Sequence, residues 1–259
     1  MTAAYLCLLA LFGLVIGSFL NVVIVRMPDQ QSIVSPPSKC PQCGNPIASR
    51  DNIPVISWLL LRGKCRHCAK PIPIGYPLVE AGNALLWVAA GVRFGVHPIV
   101  VPYLLLFSVL LAQSVIDMEL YILLDRITFP ALLVSLPLLG GIAFTRHDPR
   151  TAIVGALIGS VGYFLFLGIP AVIYPKGMGL GDVKLALLMG LYLGFLHWAL
   201  PLFAVIIACL IGIVVGGVLY FARGRESKQF PFGPWLAAGC VLAILFNSAI
   251  LGPYGFHAS

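Results

Sequence analysis

Charged side chains are scarce in this chain. Only 10% of its 259 residues are Asp, Glu, Lys or Arg, whereas 60% are hydrophobic, and the mean hydropathy is +1.00. Water-soluble domains carry roughly 25% charged residues, so the composition excludes an ordinary soluble globular protein. The apolar residues fall into long runs, which indicates an integral membrane protein whose apolar surface faces lipid.

Several widespread catalytic and nucleotide-binding motifs are also missing. The chain contains no G-x-G-x-x-G and no G-x-x-x-x-G-K-[ST], so nucleotide-binding folds lack support. It contains neither G-x-S-x-G nor H-E-x-x-H, so serine-hydrolase and zincin mechanisms lack support as well. The net charge of +7 does not indicate nucleic acid, because the basic residues lie between apolar runs, as membrane topology requires.

Eight apolar runs are long enough to act as membrane spans. The first has no basic segment before it and no small-residue cleavage site after it, so we expect a span rather than a cleaved signal peptide. A transmembrane helix needs about 20 predominantly apolar residues. We therefore predict an all-α polytopic membrane protein with about eight transmembrane helices. The predicted spans are 3–25, 78–96, 99–116, 127–144, 151–174, 183–199, 201–222 and 232–252.

The distribution of Lys and Arg predicts the orientation of these spans. Thirteen of the 16 basic residues fall on one side of the membrane and three on the other. The positive-inside rule makes the richer side cytoplasmic and turns both termini outward. The predicted divisions are a first span in 1–26, a small cytoplasmic module in 27–77 and a membrane-embedded core in 78–259.

The cytoplasmic module carries two Cys-x-x-Cys pairs. Their cysteines are Cys40, Cys43, Cys65 and Cys68. This pattern is typical of a tetrahedral four-cysteine zinc site. Disulfide bonding and a redox Cys-x-x-Cys are alternatives, and a reducing cytoplasm disfavours the disulfides. His67 is an alternative ligand. A module of about fifty residues buries little core, so we expect zinc to be structural and to supply most of the folding energy.

Two aspartates lie at the cytoplasmic edge of predicted spans. Asp117 ends one apolar run and Asp182 ends a glycine-rich stretch. Ionisable groups at a membrane are costly and therefore indicate function. Two carboxyl groups about 3 Å apart share a proton, so that one can deprotonate a water while the other polarises a carbonyl. Asp125 would lie about 12 Å from Asp117 along a helix, so Asp182 is the predicted partner.

Other interpretations of these acids stay open. Both aspartates are also compatible with ordinary interfacial helix ends, and Asp182 with a cap on a helix that begins at Val183. The acids of a proton- or cation-coupled transporter would line a transmembrane pathway. Here the acids lie at one edge of the membrane, which argues against such a path.

Five segments of the chain together form a specific pattern. They are 17–23 with Arg26 and Pro28, the cytoplasmic positions 40–43, 52–54, 57, 63–68, 76–77 and 80, the aspartate positions 116–117 and 124–125, the glycine-rich 177–184, and 230–234. Together they resemble one known family, the type IV prepilin peptidases, which are membrane aspartyl proteases with a G-x-G-D motif. The resemblance covers nearly the whole chain, and the segments occur in the family's order.

The resemblance implies two activities. Such enzymes cut a basic leader from type IV prepilins or pseudopilins at the cytoplasmic face of the bacterial inner membrane. They then N-methylate the new N-terminal residue with S-adenosylmethionine, in pilus and type II secretion systems. By matching, Asp117 and Asp182 take the catalytic roles. The implied partners are the prepilins, membrane lipid and proteins of the assembly machinery, with no nucleic acid.

Further residues follow from the same match. The possible accessory residues are Asp125, Lys184, Gly179 and Gly181, and the candidates for binding the methyl donor are Asn21, Arg26, Asn52 and Glu80. This chain has Leu124 where the family usually has proline, which puts the role of Asp125 in question. A peptidase without methyltransferase activity is the closest alternative function. A scaffold whose cysteine module docks secretion proteins is a more distant one.

Overall fold

The computed structural model describes residues 2–174, 179–223 and 231–254, and its regular structure is helical. Over these ranges the extended structure is limited to two isolated β-bridges in the cysteine module. The predicted all-α class is confirmed. The α-helices are α1 Ala3–Arg26, α2 Ile56–Leu60, α3 Gly75–Phe94, α4 Val100–Leu120, α5 Asp125–Ala143, α6 Pro149–Ile173, α7 Leu180–Leu196, α8 Leu200–Arg223, α9 Gly233–Leu245 and α10 Asn247–Leu251.

Several of these helices are suited to a membrane. In the part of the chain that the structure describes, five are long and apolar enough to cross one: α1, α4, α5, α6 and residues Leu200–Val218 of α8. A sixth span results if Gly233–Leu245 and Asn247–Tyr254, which meet at 80°, are counted together. The chain is therefore a multi-pass membrane protein. The predicted spans 78–96 and 183–199 correspond to α3 and α7, which do not meet this criterion.

The first compact unit, Met1–Val100, contains the antiparallel pair α1 and α3 together with the cysteine module. Glycines of α1 let the two helices touch. A Cβ at Gly13 would lie 2.7 Å from the Cα of Ala84, and one at Gly17 would lie 2.7 Å from the Cα of Glu80. Such distances leave no room for a side chain, so the helix separation depends on these glycines.

The second compact unit, Val101–Ser259, is built around α7. Thirteen of the 17 residues of α7 are buried, so its neighbours rather than lipid cover it. Its closest neighbour is α6. A Cβ at Gly190 would lie 2.3 Å from the carbonyl oxygen of Gly159, and one at Gly194 would lie 2.2 Å from that of Gly155. The backbones of α6 and α7 are therefore in direct contact.

This contact makes the stability of the second unit sensitive to one methyl group. We expect Gly159→Ala to lower the thermal unfolding temperature in detergent, because the new Cβ would lie 2.5 Å from the Gly190 carbonyl oxygen. Overpacking of this kind costs about 1–3 kcal/mol. Gly162→Ala on the same helix is the control, since no atom lies within 4 Å of its added Cβ. Equal unfolding temperatures for the two variants would contradict this account.

Candidate active site and metal centre

Asp117 lies in the last turn of α4 and is only 6% exposed. The backbone N–H of Gly233, the first residue of α9, donates a hydrogen bond to its Oδ2 at 3.1 Å. A Cβ at residue 233 would lie 2.7 Å from the same oxygen. Glycine at this position therefore lets α9 begin directly against the carboxylate.

Asp182 lies in the first turn of α7 and is 8% exposed. The helix begins at Leu180 with Gly179 as its N-cap residue, and no side chain caps it. The interpretation of Asp182 as a cap on a helix starting at Val183 is therefore wrong. Its Oδ1 is buried and has no hydrogen-bond partner among the described residues. A buried acceptor without a partner is costly, which marks this oxygen as available for a ligand or water.

The structure brings Asp117 and Asp182 into one site. The two carboxyl groups are near enough for their charges to interact. Leu123, in the turn after α4, packs against Gly181 and Gly233, which adjoin the two acids. A Cβ at Gly181 would lie 2.9 Å from the Leu123 Cβ, and one at Gly233 would lie 3.3 Å from the Leu123 Cδ2. One apolar side chain thus fills the space between the two glycines that adjoin the acids.

Asp125 does not join this buried pair. It lies in the first turn of α5, and its Oδ2 is 2.6 Å from the Nζ of Lys184 in the second turn of α7. Both side chains are partly exposed, at 47% and 37%. Exposed ion pairs contribute at most about 1 kcal/mol. This pair therefore adds little to stability; it connects α5 with α7 and unites two of the predicted accessory residues.

Gln113 is a site-forming residue that sequence reasoning missed. It is fully buried in α4, and its Oε1 accepts the backbone N–H of Leu124 at 3.0 Å. Its Nε2 donates to the Leu124 carbonyl oxygen at 2.9 Å and to Thr128 Oγ1 at 2.8 Å. A proline at 124 would have no N–H to donate. In this chain, which has Leu124 where the family usually has proline, the Gln113 side chain holds the turn through that N–H. The sequence signal that could have identified Gln113 was a polar residue inside an apolar run.

Only part of the glycine-rich motif lies in the described structure. Gly177 and Met178 fall outside the described residues, as does Phe230 of the predicted start of the last span. Gly179 adjoins the acid, since a Cβ there would lie 3.4 Å from the Asp182 Oδ2. This is an ordinary contact, so space alone does not require glycine at 179.

The four cysteines of the module form one cluster. Their sulfur atoms all lie within 4.8 Å of one another, and the Sγ atoms of Cys40 and Cys68 are 3.9 Å apart. Zinc–sulfur bonds of about 2.3 Å in a tetrahedron place the sulfurs about 3.8 Å apart, so this donor set fits zinc. A disulfide bond measures about 2.05 Å, which the Cys40–Cys68 separation exceeds. His67 is not a member of the cluster.

The two Cys-x-x-Cys pairs adopt the same local structure. In the first, the N–H of Gly44 donates to the Cys40 carbonyl oxygen at 2.9 Å, and in the second the N–H of Ala69 donates to that of Cys65 at 2.9 Å. Both donors have a positive φ, +71° for Gly44 and +54° for Ala69. The equivalent tight turns present two thiols each to a common centre, as paired zinc knuckles do.

Local hydrogen bonds prepare the second knuckle for a metal ion. The backbone N–H groups of Cys68 and His67 lower the pKa of the Cys65 thiol to about 6, which favours the thiolate that binds metals. Arg66 donates to both carboxylate oxygens of Asp51, at 2.8 and 2.6 Å, and thereby holds the pKa of Asp51 below its ordinary value. This ion pair ties the preceding turn to the knuckle.

A cavity of about 660 Å³ lies in the first unit, between the end of α1, the start of α3 and the cysteine module. All four residues predicted to bind the methyl donor line it. These are Asn21, Arg26, Asn52 and Glu80. The sequence match therefore identified residues that the fold brings to a single place.

Two of these four residues make hydrogen bonds to the backbone of segments that line the cavity. The side-chain amide of Asn21 donates to the carbonyl oxygen of Tyr76 at 3.1 Å. Arg26 donates to the carbonyl oxygens of Ser32 and Pro36 at 3.0 and 2.8 Å. These bonds link α1 to α3 and to the start of the module, so their primary contribution is to the shape of the site.

Known families match both units. Residues 11–94 match the family described as Bacterial Peptidase A24 N-terminal domain. Residues 104–217 match the Type IV leader peptidase family.

Similar proteins carry the name Prepilin leader peptidase/N-methyltransferase. The one from Aeromonas hydrophila is 37% identical over 276 residues, covering 95% of this chain and 92% of the relative. That of Bacillus subtilis (strain 168) is 35% identical over 251 residues, covering 96% and 97%. That of Myxococcus xanthus (strain DK1622) is 39% identical over 225 residues, covering 85% and 65%. No solved structure matches the chain significantly. The chain belongs to the type IV leader peptidase family.

Proposed function

We propose that this protein is an aspartic endopeptidase and N-methyltransferase that removes the basic leader from type IV prepilins or pseudopilins and methylates the new N-terminal residue. The proposal rests on family membership. The observation that carries it is the meeting of two buried carboxyl groups, Asp117 and Asp182, at the ends of two helices. We assign the catalytic roles to these two residues.

Two adjacent carboxyl groups can hydrolyse a peptide bond without a metal ion. The pair holds one proton between its members. The ionised carboxylate takes a proton from water as the water oxygen bonds to the scissile carbonyl carbon, and the protonated partner donates to the carbonyl oxygen. The carbon–nitrogen bond then breaks as the nitrogen gains a proton. Asp182 Oδ1, which has no hydrogen-bond partner among the described residues, would be free to exchange a proton with water.

Residues next to the two aspartates would fix the positions of the carboxyl groups. The Gly233 N–H fixes one oxygen of Asp117. The Lys184–Asp125 ion pair would help to align the helix that carries Asp182. We assign Asp125 and Lys184 to positioning rather than proton transfer.

The methylation activity would belong to the first unit. The four-cysteine cluster would bind a structural zinc ion that maintains the module, and S-adenosylmethionine would supply the methyl group. In this step the new α-amine nitrogen bonds to the methyl carbon, and the carbon–sulfur bond breaks with its electron pair on sulfur. The module in 27–77 would thus serve methylation, and the peptidase residues would lie in 78–259.

The topology completes the proposal. We place the protein in the bacterial inner membrane with about eight spans, the cysteine module and both aspartates in the cytoplasmic half, and both termini outward. The positive-inside distribution supports this orientation. Substrates would enter from the membrane, because prepilins carry an apolar segment, and the setting would be a pilus or type II secretion system with its assembly proteins.

The catalytic pair can be tested by isosteric replacement. We expect Asp117→Asn and Asp182→Asn each to reduce leader cleavage at least about a hundredfold, because acid–base catalysis is lost. Glu119→Gln is the control, since Glu119 is exposed on the same helix. Mass spectrometry of a prepilin incubated with each purified protein, with and without S-adenosylmethionine, measures both reactions. Undiminished cleavage by either Asn variant would refute the pair, and cleavage by the wild type without methylation would identify a peptidase alone.

The Gly233 contact provides a second test of the peptidase site. In Gly233→Ala the new Cβ would lie 2.7 Å from the Asp117 Oδ2, so the carboxylate must move while the backbone need not. A displacement of about 1 Å lowers rates by up to about a hundredfold. We expect a large fall in kcat for leader cleavage with little change in unfolding temperature. Gly140→Ala, which meets no atom within 4 Å, should retain full activity.

The zinc assignment predicts a metal content. We expect elemental analysis by inductively coupled plasma mass spectrometry to find about one zinc ion per purified chain, because a four-cysteine site holds one ion. The double variant Cys40→Ser/Cys43→Ser should lose the metal and expose the module to limited proteolysis, because metal binding supplies folding energy. Cys209→Ser, an exposed cysteine of α8, is the control. A wild-type protein without zinc would overturn the assignment.

A further inference from the structure

Glu80 is the acidic group of the first-unit cavity that retains an unused oxygen. Two acids line this cavity, Asp51 and Glu80. Both oxygens of Asp51 accept hydrogen bonds from Arg66. Glu80 is 8% exposed, and its Oε2 accepts the backbone N–H of Val55 at 2.7 Å, whereas its Oε1 has no partner in the described chain. A carboxylate with one oxygen left free to accept favours a positively charged partner.

The loop that donates a hydrogen bond to Glu80 has a strained backbone at Val55, which is typical of ligand-binding sites. Val55 has φ +60°, a conformation that is a genuine outlier for a β-branched residue. Two hydrogen bonds of Ser57 hold the same loop, since its Oγ accepts from the Ile53 N–H at 3.1 Å and donates to the Arg50 carbonyl oxygen at 3.0 Å. Strain of this kind persists where surrounding contacts maintain it, commonly at ligand sites. Glu80 is one of those contacts.

The size and walls of the cavity fit a nucleoside-sized ligand. Its volume of about 660 Å³ lies within the range of small-molecule sites, which runs from about 300 to 1,000 Å³. The lining is mainly apolar and includes Trp58, whose Nε1 donates to the Ile72 carbonyl oxygen at 3.2 Å. The hydrogen bond fixes the ring, so an aromatic base would meet a preformed surface rather than a mobile one.

We propose that this cavity is the S-adenosylmethionine site and that Glu80 contacts the positively charged end of the donor. The proposal rests on the methyltransferase function proposed above and assigns its binding site. Asn52 lies at the rim, because it lines the cavity and its side chain is exposed. Asn21 and Arg26 are positioning residues that shape the cavity through their backbone hydrogen bonds.

The experiment is a binding titration of S-adenosylmethionine by calorimetry, with the full chain in detergent. Glu80→Gln removes the charge but retains an oxygen that can accept the Val55 N–H. We expect this variant to raise the Kd for S-adenosylmethionine at least about tenfold, because a charge-assisted contact is lost. Asn52→Trp should raise the Kd similarly by filling the rim. Leu60→Trp is the matched control, because Leu60 is 78% exposed and does not line the cavity.

The outcomes separate this inference from the function on which it rests. Weakened binding in Glu80→Gln and Asn52→Trp, with normal zinc content and an unchanged Leu60→Trp, supports the site. If the wild type binds the donor and methylates the peptide while both cavity variants retain its Kd, the donor site lies elsewhere and the inference fails alone. If the wild type neither binds the donor nor transfers a methyl group, the methyltransferase function fails, and the site with it.

Discussion

The close contact of α6 with α7 is the packing interaction on which the second unit depends. Gly155 and Gly159 face Gly194 and Gly190, and a side chain at any of the four would collide with backbone. In a membrane, where lipid is as apolar as the side chains, such close packing is a principal source of helix association. Because α7 is enclosed by its neighbours, the carboxyl group in its first turn, that of Asp182, is withdrawn from water.

In the first unit, glycines likewise bring two helices into close contact beside a buried acid. Gly13 and Gly17 bring α1 against α3, and the Gly17 contact falls on Glu80 itself. A common arrangement results in the two units. In each, a buried carboxylate accepts a hydrogen bond from a backbone N–H at the start of another helix, that of Gly233 for Asp117 and that of Val55 for Glu80. Helix starts leave N–H groups without helical partners, so they suit buried acids without neutralising them.

The cysteine module follows a more local rule. Each knuckle closes its turn within a few residues and needs a positive φ at one position, which Gly44 and Ala69 supply. One contact over a longer stretch of sequence is the ion pair of Asp51 with Arg66. A module organised in this way requires little apolar core, in agreement with a structural metal ion as its centre.

The sequence by itself determined the features that depend on local pattern. Hydropathy identified a multi-pass membrane protein, and Cys-x-x-Cys spacing identified the cysteine cluster. The end of an apolar run and the end of a glycine-rich stretch singled out Asp117 and Asp182 as candidates. Only the tertiary structure decided which groups meet. The Gly233 N–H reaches Asp117 from 116 residues away, and Gln113 holds Leu124 across a turn. It also decided that Asp182 does not cap its helix and that Asp125 pairs with Lys184. Hydropathy and residue spacing are properties of one segment, and they indicate whether that segment lies in lipid or water or binds a metal. Hydrogen-bond and ion-pair partners on different helices depend on how the helices pack, which no single segment specifies.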